Sequence, residues 1–163
     1  MIDRRKFTIA GLGLAAAGLA RHTSPANAAD QEFPVTKTDE EWQKILTKDQ
    51  YYVLRRHGTE RAGTSPLDKN YTPGTYHCAG CNQAVFASEA KFDSGTGWPS
   101  FFQPIEKGTG SSTDWKLIYP RTEVHCSNCG GHLGHVFEDG PAPTGKRYCM
   151  NGVAMKFVPK SGV

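Results

Sequence analysis

This chain of 163 residues has no run approaching the roughly 20 apolar residues that a bilayer-spanning helix requires, which excludes a multi-pass membrane protein. It has no heptads and no blocks of like charge, so neither a coiled coil nor a charged disordered tail is expected. Nothing repeats beyond a CxxC pair, and no segment is of low complexity. Hydrophobic residues at 37% are lean but sufficient for a packed core, while 18 Gly and 10 Pro forecast short elements and many turns. The length suits one domain, since domains mostly run to about 100–150 residues.

The apparent net charge of +3 belongs to the first 28 residues. There Arg4-Arg5-Lys6-Phe7 precedes an uncharged run from Ile9 to Ala20, then Arg21 and the small-x-small site Ala26-Asn27-Ala28. A basic start, a short apolar run and such a site describe a cleavable export signal. The paired arginines point to the twin-arginine route and a periplasmic destination, with cleavage near Ala28. An ordinary secretory signal or an uncleaved anchor are the alternatives, although 12 residues are too few to span. Removing residues 1–28 takes away Arg4, Arg5, Lys6, Arg21 and the acid Asp3, leaving 15 basic and 15 acidic residues. That balance lacks the basic footprint of a nucleic-acid binder. Residues 29–36 read as a flexible lead-in and 37–163 as the folded domain.

Thr38-Asp39-Glu40-Glu41 is a capping-box sequence, and Trp42, Ile45 and Leu46 follow at helical spacing, which predicts a helix over 39–46. Thr47 with Gln50 predicts a second helix to about residue 56. Beyond Pro73 the texture changes to brief apolar or alternating runs between turn residues. These predict strands over 74–77, 84–87, 115–119, 122–125, 135–137, 148–150 and 154–158.

Cys78-Ala79-Gly80-Cys81 and Cys126-Ser127-Asn128-Cys129-Gly130-Gly131 form two knuckles of one pattern. A two-residue gap lets both sulfurs of a pair face one ion across a tight turn, and two pairs supply the four thiolates that Zn²⁺ or Fe²⁺ prefers. With 44 residues between them the pairs would pin two distant hairpins of one domain. Two disulfides are the competing reading in an exported protein, weakened by the very small ring each would close. His77 and His125 flank the knuckles and are not needed as ligands, because four sulfurs already close the site.

Cys149 is then left alone. In Arg147-Tyr148-Cys149-Met150-Asn151, alternation on a strand puts Arg147, Cys149 and Asn151 on one face, where the guanidinium favours the nucleophilic thiolate. From the pentapeptide alone, an inert buried thiol is an equal account. His132 and His135 are two imidazoles able to exchange protons near neutral pH; a further metal site would need additional ligands. Gly95 and Gly97 flank Trp98, as in a loop that holds an indole at the edge of a pocket, although such a cluster alone also suits a core.

Six motifs occur together in order: Cys78-x-x-Cys81, Ser94-Gly95-x-Gly97-Trp98-Pro99-Ser100-Phe101, Cys126-x-x-Cys129, His132-Leu133-Gly134-His135-Val136-Phe137, Asp139-Gly140-Pro141-x-Pro143-Thr144-Gly145 and Arg147-Tyr148-Cys149-x-Asn151. Over about residues 36–158 the chain closely resembles the methionine-R-sulfoxide reductases, the B-type methionine sulfoxide reductase family. The resemblance implies a mainly β fold, two antiparallel β-sheets packed together with short N-terminal helices, and a structural four-cysteine zinc site opposite the active site. It implies that Cys149 attacks the sulfoxide sulfur of a methionine-R-sulfoxide residue in an oxidised protein and becomes a sulfenic acid. It further implies that His132 and His135 orient and protonate the oxygen, Asn151 hydrogen-bonds in the site, and Arg147 holds the thiolate. Trp98 and Phe137 would bind the substrate, Trp98 as the apolar wall against its S-methyl group.

Three positions depart from that pattern. Thr96 stands where many members carry a resolving cysteine, so the expected enzyme uses one cysteine and is regenerated by an external thiol, thioredoxin-like or small. Gly152 and Met150 stand where Ser and Ile or Val are usual, and would loosen the strand beside Cys149. The competing function is a non-catalytic, zinc-stabilised β module that binds through the Trp98 pocket; it needs neither Cys149 nor the histidines. A monomer without stable membrane insertion is expected.

Overall fold

The computed structural model describes residues 32–161; the proposed signal and its cleavage site lie outside them. Two helices lead the fold, α1 over Asp39–Ile45 and α2 over Lys48–Arg56. Each begins with a complete capping box. The Thr38 hydroxyl accepts from the Glu41 N–H while the Glu41 carboxylate accepts from the Thr38 N–H, and Thr47 and Gln50 repeat the exchange. These contacts satisfy amide donors that a helix start leaves orphaned. Trp42, Val53 and Leu54 are buried, with Trp42 beside Gly80 and Leu54 beside Gly131. The helices thus cover both knuckles. Just ahead of α1, Val35 donates to the Asn128 carbonyl at 2.8 Å and Phe33 packs edge-on to His125, so the later part of the lead-in docks on the second knuckle.

Nine strands follow: β1 Gly74–Cys78, β2 Ala84–Ala87, β3 Lys91–Phe92, β4 Ser100–Phe101, β5 Thr109–Asp114, β6 Arg121–Cys126, β7 His132–Phe137, β8 Arg147–Met150 and β9 Met155–Pro159. They form two antiparallel sheets, ordered β2-β1-β9 and β3-β4-β8-β7-β6-β5. The expected fold class, mainly β with short helices and a four-cysteine cluster, is therefore the observed one. The sheets meet through aromatic rings: Phe86 of β2 stacks on Phe101 of β4 at 4.4 Å, and Tyr76 of β1 meets the same ring edge-on at 5.0 Å. Such pairs add roughly 0.5–1.5 kcal/mol beyond the area they bury. The buried Tyr76 hydroxyl donates to the Asn70 carbonyl at 2.7 Å, and burial pushes its ionisation up to about 12.

One strand is misplaced by the sequence reading. Residues 115–119 are not a strand but an exposed bend between β5 and β6. The strand lies just before them, in the polar Thr109–Asp114. As an edge strand with mostly unburied side chains, β5 is held by its backbone ladder to β6 and carries no apolar signal. The two-residue strands β3 and β4 are too short to leave a periodic trace.

Strands β7 and β8 approach closely at Gly134, where a Cβ would collide with the Cys149 carbonyl and the Met150 backbone. Gly134→Ala is expected to cost at least about 1–3 kcal/mol by overpacking, measured by urea denaturation. An unchanged midpoint would show that the two strands can separate at no cost.

Candidate active site

Cys149 occupies the middle of the larger sheet, opposite Ser100 of β4 on one side and His135 of β7 on the other. It opens into a cleft of about 140 Å³ that Trp98, His135, Phe137 and Asn151 also line. Four expected site residues thus converge on the sulfur. Thr59 and Arg121 complete the wall and were not anticipated.

Glycine geometry makes the Trp98 wall. Gly95 and Gly97 both have positive φ (71° and 85°), and the Gly97 carbonyl accepts from the Gly63 N–H at 2.7 Å. The indole N–H of Trp98 donates to the Glu60 carbonyl at 3.2 Å. Glu60 is a hub that sequence spacing could not reveal. Its carboxylate accepts from the N–H groups of Gly152 (2.6 Å) and Val153 (2.9 Å), and its own N–H donates to Asn151 Oδ1 (2.9 Å). Asn151 Nδ2 donates to the Leu133 carbonyl at 3.1 Å, so both ends of this amide are tied into the frame of the site. Gly152 does not loosen β8. It begins the turn after the strand, where a Cβ would collide with Ser65.

The two histidines differ. His135 lines the cleft, and its Nε2 lies 2.8 Å from Asp114 Oδ2, the oxygen that also accepts from Arg121 Nη2 at 2.7 Å. Burial pushes the Asp114 carboxyl up, but the Lys116 N–H, His135 and Arg121 outweigh it and hold it near 2. Burial likewise lowers the His135 imidazole, against the opposing pull of Asp114. His132 does not line the cleft and is only 2% exposed. Its Nδ1 meets Glu123 Oε1 at 2.6 Å, His57 Nδ1 meets the same oxygen at 2.8 Å, and the His132 Nε2 is buried without a partner. These contacts are shorter than the roughly 3.3 Å between adjacent tetrahedral ligands about 2.0–2.1 Å from an ion. We read the trio as a hydrogen-bonded cluster.

The surroundings of Cys149 pull its ionisation in opposite directions. Burial pushes the thiol above its ordinary range, and Thr96 and Arg147 only partly offset it. Arg147 is itself engaged, forming two hydrogen bonds with Asp139 at 2.9 and 2.8 Å while lying over the Phe137 ring. Burial thus opposes the thiolate that Thr96 and Arg147 favour.

All five cysteines are free, so the paired-disulfide reading fails. The sulfurs of Cys78, Cys81, Cys126 and Cys129 lie within 4.8 Å of one another, with Cys78–Cys129 at 3.7 Å and Cys81–Cys126 at 3.5 Å. A tetrahedron of sulfurs about 2.3 Å from zinc has edges of about 3.8 Å. The donor set thus fits an ion. In both knuckles the residue after the second cysteine is left-handed, Asn82 at φ 63° and Gly130 at φ 65°. His77 and His125 stay outside the four-sulfur cluster, as expected.

The SelR domain family matches residues 46–159, more than half of the chain. A peptide methionine sulfoxide reductase B1 from the chloroplast of Oryza sativa subsp. japonica is 55% identical over 125 residues, covering 76% of this chain and 58% of that protein. Against the rice protein the chain thus spans a little over half the length. A peptide methionine sulfoxide reductase MsrB from Leptospira interrogans is 52% identical across 77% of this chain and 96% of its own length. One of the same name from Methanosarcina barkeri is 54% identical across 76% and 87%.

The raised thiol has a measurable consequence. Alkylation of Cys149 by iodoacetamide, read by peptide mass analysis, is expected to keep accelerating as pH rises through 9. A plateau already reached near pH 7 would contradict this.

Proposed function

Because the chain belongs to the SelR-domain family, whose relatives above are named peptide methionine sulfoxide reductases, we propose that it is a peptide-methionine (R)-S-oxide reductase working through Cys149. The observation that supports this most is the convergence of Cys149, His135 and Trp98 on one small cleft. The Cys149 thiol gives up its proton and attacks the sulfoxide sulfur. The sulfoxide oxygen takes up that proton and passes to Cys149 as the transient S–S bond and the S–O bond to methionine both break, so that methionine leaves reduced and Cys149 is left as a sulfenic acid. His135 is the donor at the cleft, while His132 acts from behind it. The flat Trp98 face receives the S-methyl group, and the opposite epimer would press its oxygen against that face unpaired.

Regeneration is assigned to an external thiol. Thr96 Oγ1 lies 3.9 Å from Cys149 Sγ, where an internal resolving cysteine would be needed, and it belongs to a hydroxyl chain with Ser94 and Ser100. An incoming thiol condenses with the sulfenic acid, releasing water and leaving a mixed disulfide that a second thiol reduces. The cluster of Cys78, Cys81, Cys126 and Cys129 is assigned to a structural Zn²⁺, which would pin the knuckles without an open coordination position. The leader is assigned to twin-arginine export, so that an Arg4→Lys, Arg5→Lys variant should stay in the cytoplasm; unchanged export would refute that route. A module that only binds ligands is not favoured.

The chain from residue 29 onward, given dabsyl-methionine-R-sulfoxide and a dithiol, should turn over, and Cys149→Ser should lose at least about 10³-fold. Metal analysis should find one zinc per chain in both proteins. Equal turnover would end the catalytic assignment, and loss of metal in the variant would place Cys149 in the cluster.

A further inference from the structure

The bend between β5 and β6 shows an arrangement that the chemistry above does not use. Among the described residues eight large hydrophobic side chains are exposed, and four of them, Trp115, Leu117, Ile118 and Tyr119, fall in this one turn. Trp115 is 71% exposed and Ile118 is fully exposed. Exposed large apolar side chains scattered singly need no explanation, but four within five residues point to an interaction surface.

Its base is fixed to the site. Asp114 and Arg121 face each other across the hairpin and form an ion pair at 2.7 Å, and Asp114 also holds His135. Arg121 lines the cleft. On the other side the Lys116 ammonium donates to the His57 carbonyl at 3.5 Å, two residues before Thr59, which also lines the cleft. The turn is therefore tied to the two segments that carry the cleft-lining Arg121 and Thr59. The cleft itself, at about 140 Å³, is far smaller than the roughly 300–1,000 Å³ of sites that enclose drug-sized ligands. It takes one side chain, so the residues on either side of that side chain must lie on the rim.

We propose that residues 115–119 form a lip that docks the apolar neighbours of a methionine-R-sulfoxide in a locally unfolded polypeptide. The inference rests on the reductase reading. Its occupant follows from the lesion: oxidation makes a buried methionine polar and disrupts the core around it, so the sulfoxide arrives with formerly buried neighbours exposed. The lip matches that chemistry, and the carboxylate at its base, Asp114, is occupied by Arg121 and His135.

The test compares two peptides of equal length, with the sulfoxide flanked by Leu and Phe or by Ser and Gly, and a blocked single amino acid sulfoxide. The wild-type chain is expected to prefer the apolar peptide by about tenfold in kcat/KM. Trp115→Ser combined with Ile118→Ser should bring that preference near unity while leaving the melting temperature and the rate on the blocked amino acid unchanged. A preference that survives the double change overturns the lip, as does an equal loss on all three substrates. A rise confined to the KM of the dithiol also overturns it, by assigning the surface to the reductant. Failure of the wild-type chain on all three substrates would instead sink the reductase reading itself.

Discussion

The site depends on how closely two strands can lie. At Gly134 the β7 backbone reaches β8 with no room for a side chain, and this contact sets His135 opposite Cys149. With β4 on its other flank, β8 is ladder-bonded on both edges, and the Met150 N–H donates to the Pro99 carbonyl next to Trp98. The sulfur, the imidazole and the indole are thus positioned by backbone geometry rather than by long side chains. Precise placement of reacting groups on rigid strands is what makes a small cleft productive.

Charge around that geometry is arranged to appear late. Two carboxylates stand behind the two imidazoles, Asp114 behind His135 and Glu123 behind His132, and each is held in its ionised form by its partners. They can stabilise an imidazolium when a proton is required. At the sulfur, by contrast, burial outweighs Thr96 and an arginine already shared with Asp139, and pushes the thiol above its ordinary range. The four-sulfur cluster works separately, joining the end of β1 to the end of β6 under the cover of α1 and α2.

Where function is written in chemistry-bearing residues at short spacing, the sequence was readable. The two capping boxes and the two cysteine knuckles formed as expected, because each is a local pattern with a local cause. Glu60 escaped notice because its partners Gly152 and Val153 lie more than 90 residues away, and a lone glutamate carries no periodic signal. Asp114 and Arg121 escaped for the same reason, since only the β5–β6 pairing brings them together. The apolar run 115–119 misled because composition favours a strand there, whereas the backbone ladder is made by its polar neighbour β5. The adjacency of Cys149 to Arg147 is visible in a sequence, while the desolvation that opposes its thiolate is not.

The central claim is that one sulfur alone carries the oxygen. A single turnover without any reductant, with native thiols counted before and after by a chromogenic disulfide and Cys149 trapped with dimedone, tests it directly. The account predicts one thiol lost for each methionine released, with the dimedone adduct on Cys149 and no internal disulfide. Two thiols lost for each methionine, or methionine formed while Cys149 stays unmodified, would contradict it.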